Sequence, residues 1–278
     1  MLFNKRILVA LDGGSHCVDA IHRAQMMATK TGCELEILWF GNTSAWQPLE
    51  EEIKELESTC RVSRQVSTTH MLDSVKEIWQ EDHFTLLIKG CDREHNTESL
   101  LAPTDWKLLR ETPCPVLLVK QQKPWTGGRV LAAINPLSSE EHQSLHDRSV
   151  LMLAAFIASE ENAELQAVVA TPAPMQMAEP EDQIPELIEQ RARAAADKML
   201  KNMNLKTQQL HIGEGPAEYL IAQVAGEQDA ALVVISSSAR NGIKGALLGN
   251  TAEQILDRLD TDVLVLRPGL AEQMPVYH

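Results

Sequence analysis

The sequence predicts an α/β protein built as two tandem, doubly wound domains, each with a five-stranded parallel sheet, folded into a pseudo-dimer. Three observations predict it. First, the chain repeats itself. Arg6-Ile-Leu-Val-Ala-Leu-Asp12 returns as Arg129-Val-Leu-Ala-Ala-Ile-Asn135, and Thr104–Val119 returns as Thr251–Leu266. Second, the apolar runs are short and continuous, as expected of strands buried on both faces of a parallel sheet. Third, segments of helical period lie between the runs, and strands alternating with helices imply right-handed crossovers.

The first copy's strands fall at Ile7–Leu11, Leu35–Phe40, a weaker Gln65–Thr68, Leu86–Ile88 and Val116–Val119. The second copy's fall at Val130–Ile134, Leu165–Ala170, Gln208–Ile212, Leu232–Ile235 and Val263–Leu266. In the first helix Ala20, Ala24, Met27 and Ala28 share one stripe, and Gly32 is a plausible stop. Its counterpart is expected from Arg148 to Ala158. A long helix follows over Ile184–Asn202, another is opened by Pro216 at its first turn, and the last spans Thr251–Leu259. The boundary falls in the turn-rich stretch Lys123–Gly128, which gives domains over residues 1–123 and 128–270. The final strands, Val116–Val119 and Val263–Leu266, are the edges through which the two copies are expected to pack.

The chain has 278 residues, a formal net charge of -14, 44% hydrophobic and 4% aromatic residues. The cores are therefore aliphatic. The acidic surplus argues against nucleic acid and anionic membrane surfaces as partners. No apolar run approaches the length of a membrane span, and the amino end runs straight into a strand pattern without a signal peptide, so the expectation is a cytoplasmic protein with no membrane insertion. The five cysteines all lie in the first copy and form no C-x-x-C pair. They read as free, partly buried thiols rather than a disulfide framework or a zinc site.

Ligands on open α/β sheets bind at the carboxyl ends of the strands, near the switch point. The strongest candidate there is Ile235–Thr251, a small-residue loop leading into a helix. Gly249, Asn250 and Thr251 open that helix, whose free N–H groups suit an anion. Arg240 and Lys244 add positive charge. In the first copy the matching loop carries Asp92, Glu94 and Glu98, with Pro103 before Thr104, which removes an N–H and repels anions. That copy reads as structural, although it keeps Asp12.

Other motifs carry less. Asp12-Gly-Gly-Ser-His-Cys17 faintly resembles the Ser-Gly-Gly-x-Asp-Ser loop of ATP pyrophosphatases, but its reactive hydroxyls are gone, and a tight turn accounts for it. His142 and His146 are spaced i, i+4 in a polar segment, Ser138–Asp147, read as a solvated helix start. No metal site and no catalytic triad can be assigned. The apolar loop with Met175 and Met177 is read as packing on its own domain, or else as the floor of a partly greasy pocket.

The Ile235–Thr251 segment and the helix and strand after it resemble the universal stress protein family. The resemblance covers nearly the whole chain as two tandem copies, most like the E-type of gamma-proteobacteria. It implies a Rossmann-like fold of the adenine-nucleotide alpha-hydrolase kind, stress survival as the role, and a nucleotide-type pocket. The family signature is glycine, two residues, glycine, nine residues, then glycine followed by Ser or Thr. Here it falls on Ser236, Ala239, Gly249 and Asn250. In ATP-binding members an Asp after the first strand and a residue after the second hold adenosine. Those positions are Asn135 and Ala170.

The expected ligand-binding set is therefore Asn135, Ala170, Ser236, Ser237, Ala239, Arg240, Lys244, Gly249, Asn250 and Thr251, with Asp12 and Thr104 as the first copy's counterparts. The departures from the signature weaken ATP binding. The expectation is a non-catalytic stress-response protein with a degenerate pocket in the second domain. The alternatives are a binding module for an amphipathic or nucleotide-conjugated metabolite, and a weak ATP-binding protein or slow ATPase. ATP or another nucleotide-containing ligand is the cofactor class left open, as is a homodimer of the internally paired chain.

Overall fold

The computed structural model describes residues 6–40, 49–67, 70–91, 103–140, 143–174, 183–207, 209–237 and 250–267. The first half runs β1 (Arg6–Leu11), α1 (Cys17–Thr31), β2 (Glu34–Phe40), α2 (Glu50–Thr59), β3 (Val62–Ser67), α3 (Met71–Glu81), β4 (Leu86–Gly90), α4 (Pro103–Glu111) and β5 (Val116–Val119). The second runs β6 (Arg129–Ile134), α5 (Gln143–Glu160), β7 (Glu164–Thr171), α6 (Pro185–Asn202), β8 (Gln209–Glu214), α7 (Ala217–Glu227), β9 (Leu232–Ser236), α8 (Asn250–Arg258) and β10 (Asp262–Leu266).

The strands form one ten-stranded sheet in the order β3-β2-β1-β4-β5-β10-β9-β6-β7-β8. The order within each five-strand arm is the same, so each arm is doubly wound. The two arms meet where β10 pairs antiparallel with β5, Leu264 opposite Leu117. The other strand pairs are parallel. The final strands thus cover one another's edges, as the sequence predicts.

Side-chain alternation splits the core into two layers. Ile7, Val9 and Leu11 pack with α1 and α5 on one face, while Leu8 and Ala10 face the layer of α3, α4, α7 and α8. Ala20, Ala24, Met27 and Ala28 are all buried. Gly32 ends α1 in the left-handed region, φ 72°, with its N–H on the Ala28 carbonyl at 2.7 Å. The second arm puts Asn162 at the equivalent turn with φ 49°, asparagine being the side chain that tolerates that conformation best.

The bounds differ from expectation most at α5 and β3; in addition β4 runs on to Gly90 and β8 to Glu214, and Pro216 caps α7 from just before its first turn. Helix α5 begins five residues early, at Gln143 rather than Arg148. Gln143 donates its backbone N–H to Glu140 and its side-chain amide to Asp147, so a polar face stabilises the added turn. Strand β3 spans Val62–Ser67 rather than Gln65–Thr68, and Thr68 lies outside the described residues. β3 is a mostly exposed edge strand whose pairing comes from β2, so no continuous apolar run marks it.

The junction between the arms is built on one carboxylate. Asp262, fully buried at the start of β10, accepts from Arg23 Nε at 2.9 Å and Trp125 Nε1 at 2.8 Å on one oxygen. Its other oxygen accepts the N–H groups of Lys120 at 2.8 Å and Gln121 at 3.2 Å. The Arg23 guanidinium lies 5.0 Å from the centre of the Trp125 ring. A reciprocal pair of caps flanks this hub. Lys120, just after β5, donates to the Leu256 and Leu259 carbonyls at the end of α8, at 2.8 and 3.0 Å. Arg267, just after β10, donates to the Arg110 and Thr112 carbonyls at the end of α4. Each arm thus supplies the cation that the other arm's last helix favours at its carboxyl end.

Replacing Arg23→Met should leave Asp262 as a buried charge without its cation. A stability loss of about 3–5 kcal/mol in urea unfolding is expected. A loss under about 1 kcal/mol would show that Trp125 and the backbone donors suffice.

Candidate functional site

Each arm has a switch point at the carboxyl ends of its strands, and the two are built differently. In the second arm β6 and β9 pair only as far as Ala132 opposite Val234. Beyond that the strands part, and a cleft of about 190 Å³ opens between them. Its walls are Ala133, Ile134, Asn135, Gln143, Ala170, Ala217, Ile221, Ile235, Ser236, Thr251, Ala252 and Ile255. Among these lining residues none is titratable. Isoleucines and alanines supply its apolar lining, and the amides of Asn135 and Gln143 with the hydroxyls of Ser236 and Thr251 supply its polar one.

Of the ten second-copy residues expected from sequence, Asn135, Ala170, Ser236 and Thr251 are brought together around this cleft. Ser237 is buried and donates its N–H to the Leu266 carbonyl at 2.8 Å, so it belongs to the β9–β10 edge. Asn250 begins α8. Ala239, Arg240, Lys244 and Gly249 lie outside the described residues, as do His142, Met175 and Met177.

The sequence reading missed Gln143 and Asp147. Asp147 lies in the segment read as solvated, yet it is fully buried. One of its oxygens accepts the Asn135 N–H at 3.0 Å and Gln143 Nε2 at 2.7 Å. The other meets no hydrogen-bond donor. Burial pushes the carboxyl up to about 6, against the opposing pull of those two donors.

The first arm closes the same place. β1 and β4 stay paired one residue further, to Ala10 opposite Lys89. Lys89, almost fully buried, places its ammonium 2.8 Å from Asp12 and 2.9 Å from Asp105, and donates to the Gly90 carbonyl at 2.8 Å. By the internal repeat, Lys89, Asp12 and Asp105 correspond to Ile235, Asn135 and Ala252, three of the cleft's lining residues. An ion-paired bridge therefore spans the position that is hollow in the other arm. Burial alone would lower the Lys89 ammonium, but Asp105 and Asp12 outweigh it and hold it well above its ordinary value. Burial alone would raise the Asp12 carboxyl, but Lys89 and the Gly14 N–H keep it below the usual range. Thr104 sits exposed in the first turn of α4.

Around this cluster Cys17 and Cys91 are buried free thiols, raised by that burial. Among the described residues no group of His, Cys, Asp or Glu is arranged to hold a metal ion, and no helix is long and apolar enough to cross a membrane.

Residues 129–267 match the family model described as the universal stress protein family. Universal stress protein E of Escherichia coli strain K12 is 33% identical over 207 residues, which is 70% of this chain and 64% of that protein. The chain thus aligns with less than two thirds of the length of such relatives. A Pseudomonas aeruginosa UCBPP-PA14 structure, described as that of a universal stress protein, is 34% identical with TM-score 0.77, covering 96% of this chain and 94% of its own. A Pseudomonas aeruginosa PAO1 structure of unknown function is 33% identical with TM-score 0.79, covering 98% of both chains. The chain belongs to the universal stress protein family, with two tandem copies of the fold, and is similar to the family's E-type proteins.

Two outcomes follow from these geometries. The Asp147 carboxyl titrates higher in the fold than in the unfolded chain. Its contribution to stability is therefore full below about pH 4 and is lost as pH rises through about 6. Asp147→Asn should flatten that loss and raise stability at pH 7.5 by roughly 1–3 kcal/mol, measured by urea unfolding across pH. Lys89→Met should destabilise by about 3–5 kcal/mol, because Asp105 is left buried and unpaired. Adding Asp105→Ala should recover most of that loss.

Proposed function

We propose that the protein acts by binding a small molecule in the β6–β9 cleft of a second domain, residues 128–270. A first domain, residues 1–123, serves as its structural partner. The observation that carries this reading is the contrast between equivalent positions: a hollow lined by Asn135, Ile235 and Ala252 in one arm, and a Lys89–Asp12–Asp105 bridge in the other. The ligand class is amphipathic or nucleotide-containing. An apolar part rests on the isoleucine lining, and an anionic part lies toward the start of α8, where the first N–H groups of a helix have no acceptor within it.

ATP is held weakly in this reading, since Asn135 offers a neutral amide where ATP-binding relatives place a carboxylate. Each charge-assisted hydrogen bond forgone is worth about 1.5–3 kcal/mol. The role is stress response by binding rather than by catalysis. What supports this is that the described residues lining the cleft include no general base.

Mass spectrometry of small molecules released from freshly purified protein tests the reading. A stoichiometric ligand is expected, retained by Lys89→Met and lost in Ile235→Trp, which fills the cleft. Retention by Ile235→Trp, or low-micromolar ATP affinity by calorimetry, would overturn it.

A further inference from the structure

Resting on the cleft as the binding site, we infer that Gln143 selects the ligand: the group entering the β6–β9 cleft is uncharged, apolar and carries an N–H or O–H donor aimed at the Gln143 carbonyl oxygen. Gln143 is the cleft-lining residue contributed by α5. A glutamine amide presents a donor edge and an acceptor edge, and which one faces a ligand depends on what holds the other. Here Nε2 donates to Asp147 Oδ1 at 2.7 Å. A carboxylate can only accept, so the amide cannot turn over without setting oxygen against oxygen. One N–H of the amide is tied to Asp147 within α5, which fixes the plane of the group and leaves Oε1 as its acceptor for a ligand in the cleft that Gln143 lines.

Asp147 is itself fixed. It is fully buried, and the same oxygen takes the Asn135 N–H at 3.0 Å. Asp147 is therefore a positioning residue: it touches no ligand and sets the polarity of the side chain that does. The isoleucine lining makes this polarity consequential. In an apolar cleft a ligand atom left opposite Oε1 without a proton to give loses its water and gains nothing. The chemistry recognised is thus a flat or compact apolar group with one donor, whatever is attached to it outside the cleft.

Two rings of the same size and shape isolate this feature. Indole carries a ring N–H, and benzofuran carries an oxygen in its place. Titration of the native chain with each, followed by amide chemical shifts of residues 133–135 and 251–255, should show indole binding about tenfold tighter. Gln143→Met should abolish the preference and leave both rings binding. Asp147→Ala should shrink it by releasing the amide, whereas Asp147→Asn should keep it, since its Oδ1 still accepts. The ratio of two affinities in one variant is insensitive to a general loss of stability. Equal binding of both rings by the native chain, or a preference that survives Gln143→Met, overturns the role of Gln143 and leaves the cleft in place. Binding of neither ring overturns the cleft reading as well.

Discussion

The buried carboxylate of Asp262 is the constraint on which the architecture depends. Two five-stranded arms could each close their own core and still be only tethered. Burying an aspartate at the start of the last strand changes that, because the charge has to be met from outside its own arm. Arg23 comes from α1, Trp125 from the connecting segment, and the Lys120 and Gln121 N–H groups from the end of the first arm. Burial still lifts the Asp262 carboxyl above its ordinary value despite Arg23, so the hub is an electrostatic compromise rather than a gain in itself. What it supplies is a specific arrangement. The pairing of β5 with β10 brings all four donors to one residue.

The two arms use charge in opposite ways once they are joined. In the first arm two carboxylates and an ammonium sit where the strands would otherwise part, and the sheet stays zipped to Lys89. In the second arm the same three positions are an amide, an isoleucine and an alanine, and the strands part after Ala132 and Val234. The ion-paired bridge occupies its position, whereas the neutral set leaves a hollow whose polar lining is amides and hydroxyls. A duplicated fold can in this way be filled in one copy and hollow in the other without altering its topology.

Much of the fold was legible in the sequence because strands buried on both faces read as unbroken apolar runs. β1, β4, β6 and β9 are of that kind, and their positions follow directly. β3 was blurred because it lies at the sheet edge with Ser63, Arg64, Gln65 and Val66 exposed, so little in its pattern separates it from a loop. Helix α2 gave little signal because its buried contribution is Ile53 and Leu56, too few for a stripe. For the site, Asn135, Ala170, Ser236 and Thr251 could be found because topology alone says which strand ends converge. Lys89 could not be found locally. It follows an apolar run, and its partners lie 77 and 16 residues away. Only residue-by-residue comparison of the copies, Lys89 against Ile235 and Asp105 against Ala252, would have exposed it.

Asp147 marks the limit of reading polarity from sequence in a different way. Ser138–Asp147 is polar but for Leu145, and a polar stretch at a helix start usually faces water. Here the strand end turns back so that the Asn135 N–H needs an acceptor inside the fold, and the fourth residue of α5 past Gln143 supplies it. The need belongs to the backbone, which is silent in the sequence. Once it is met by a carboxylate, the neighbouring glutamine amide is held with its nitrogen toward that acid, because a carboxylate accepts and does not donate. A backbone requirement at the end of β6 is thereby carried, through one buried acid, into the chemical character of the cleft.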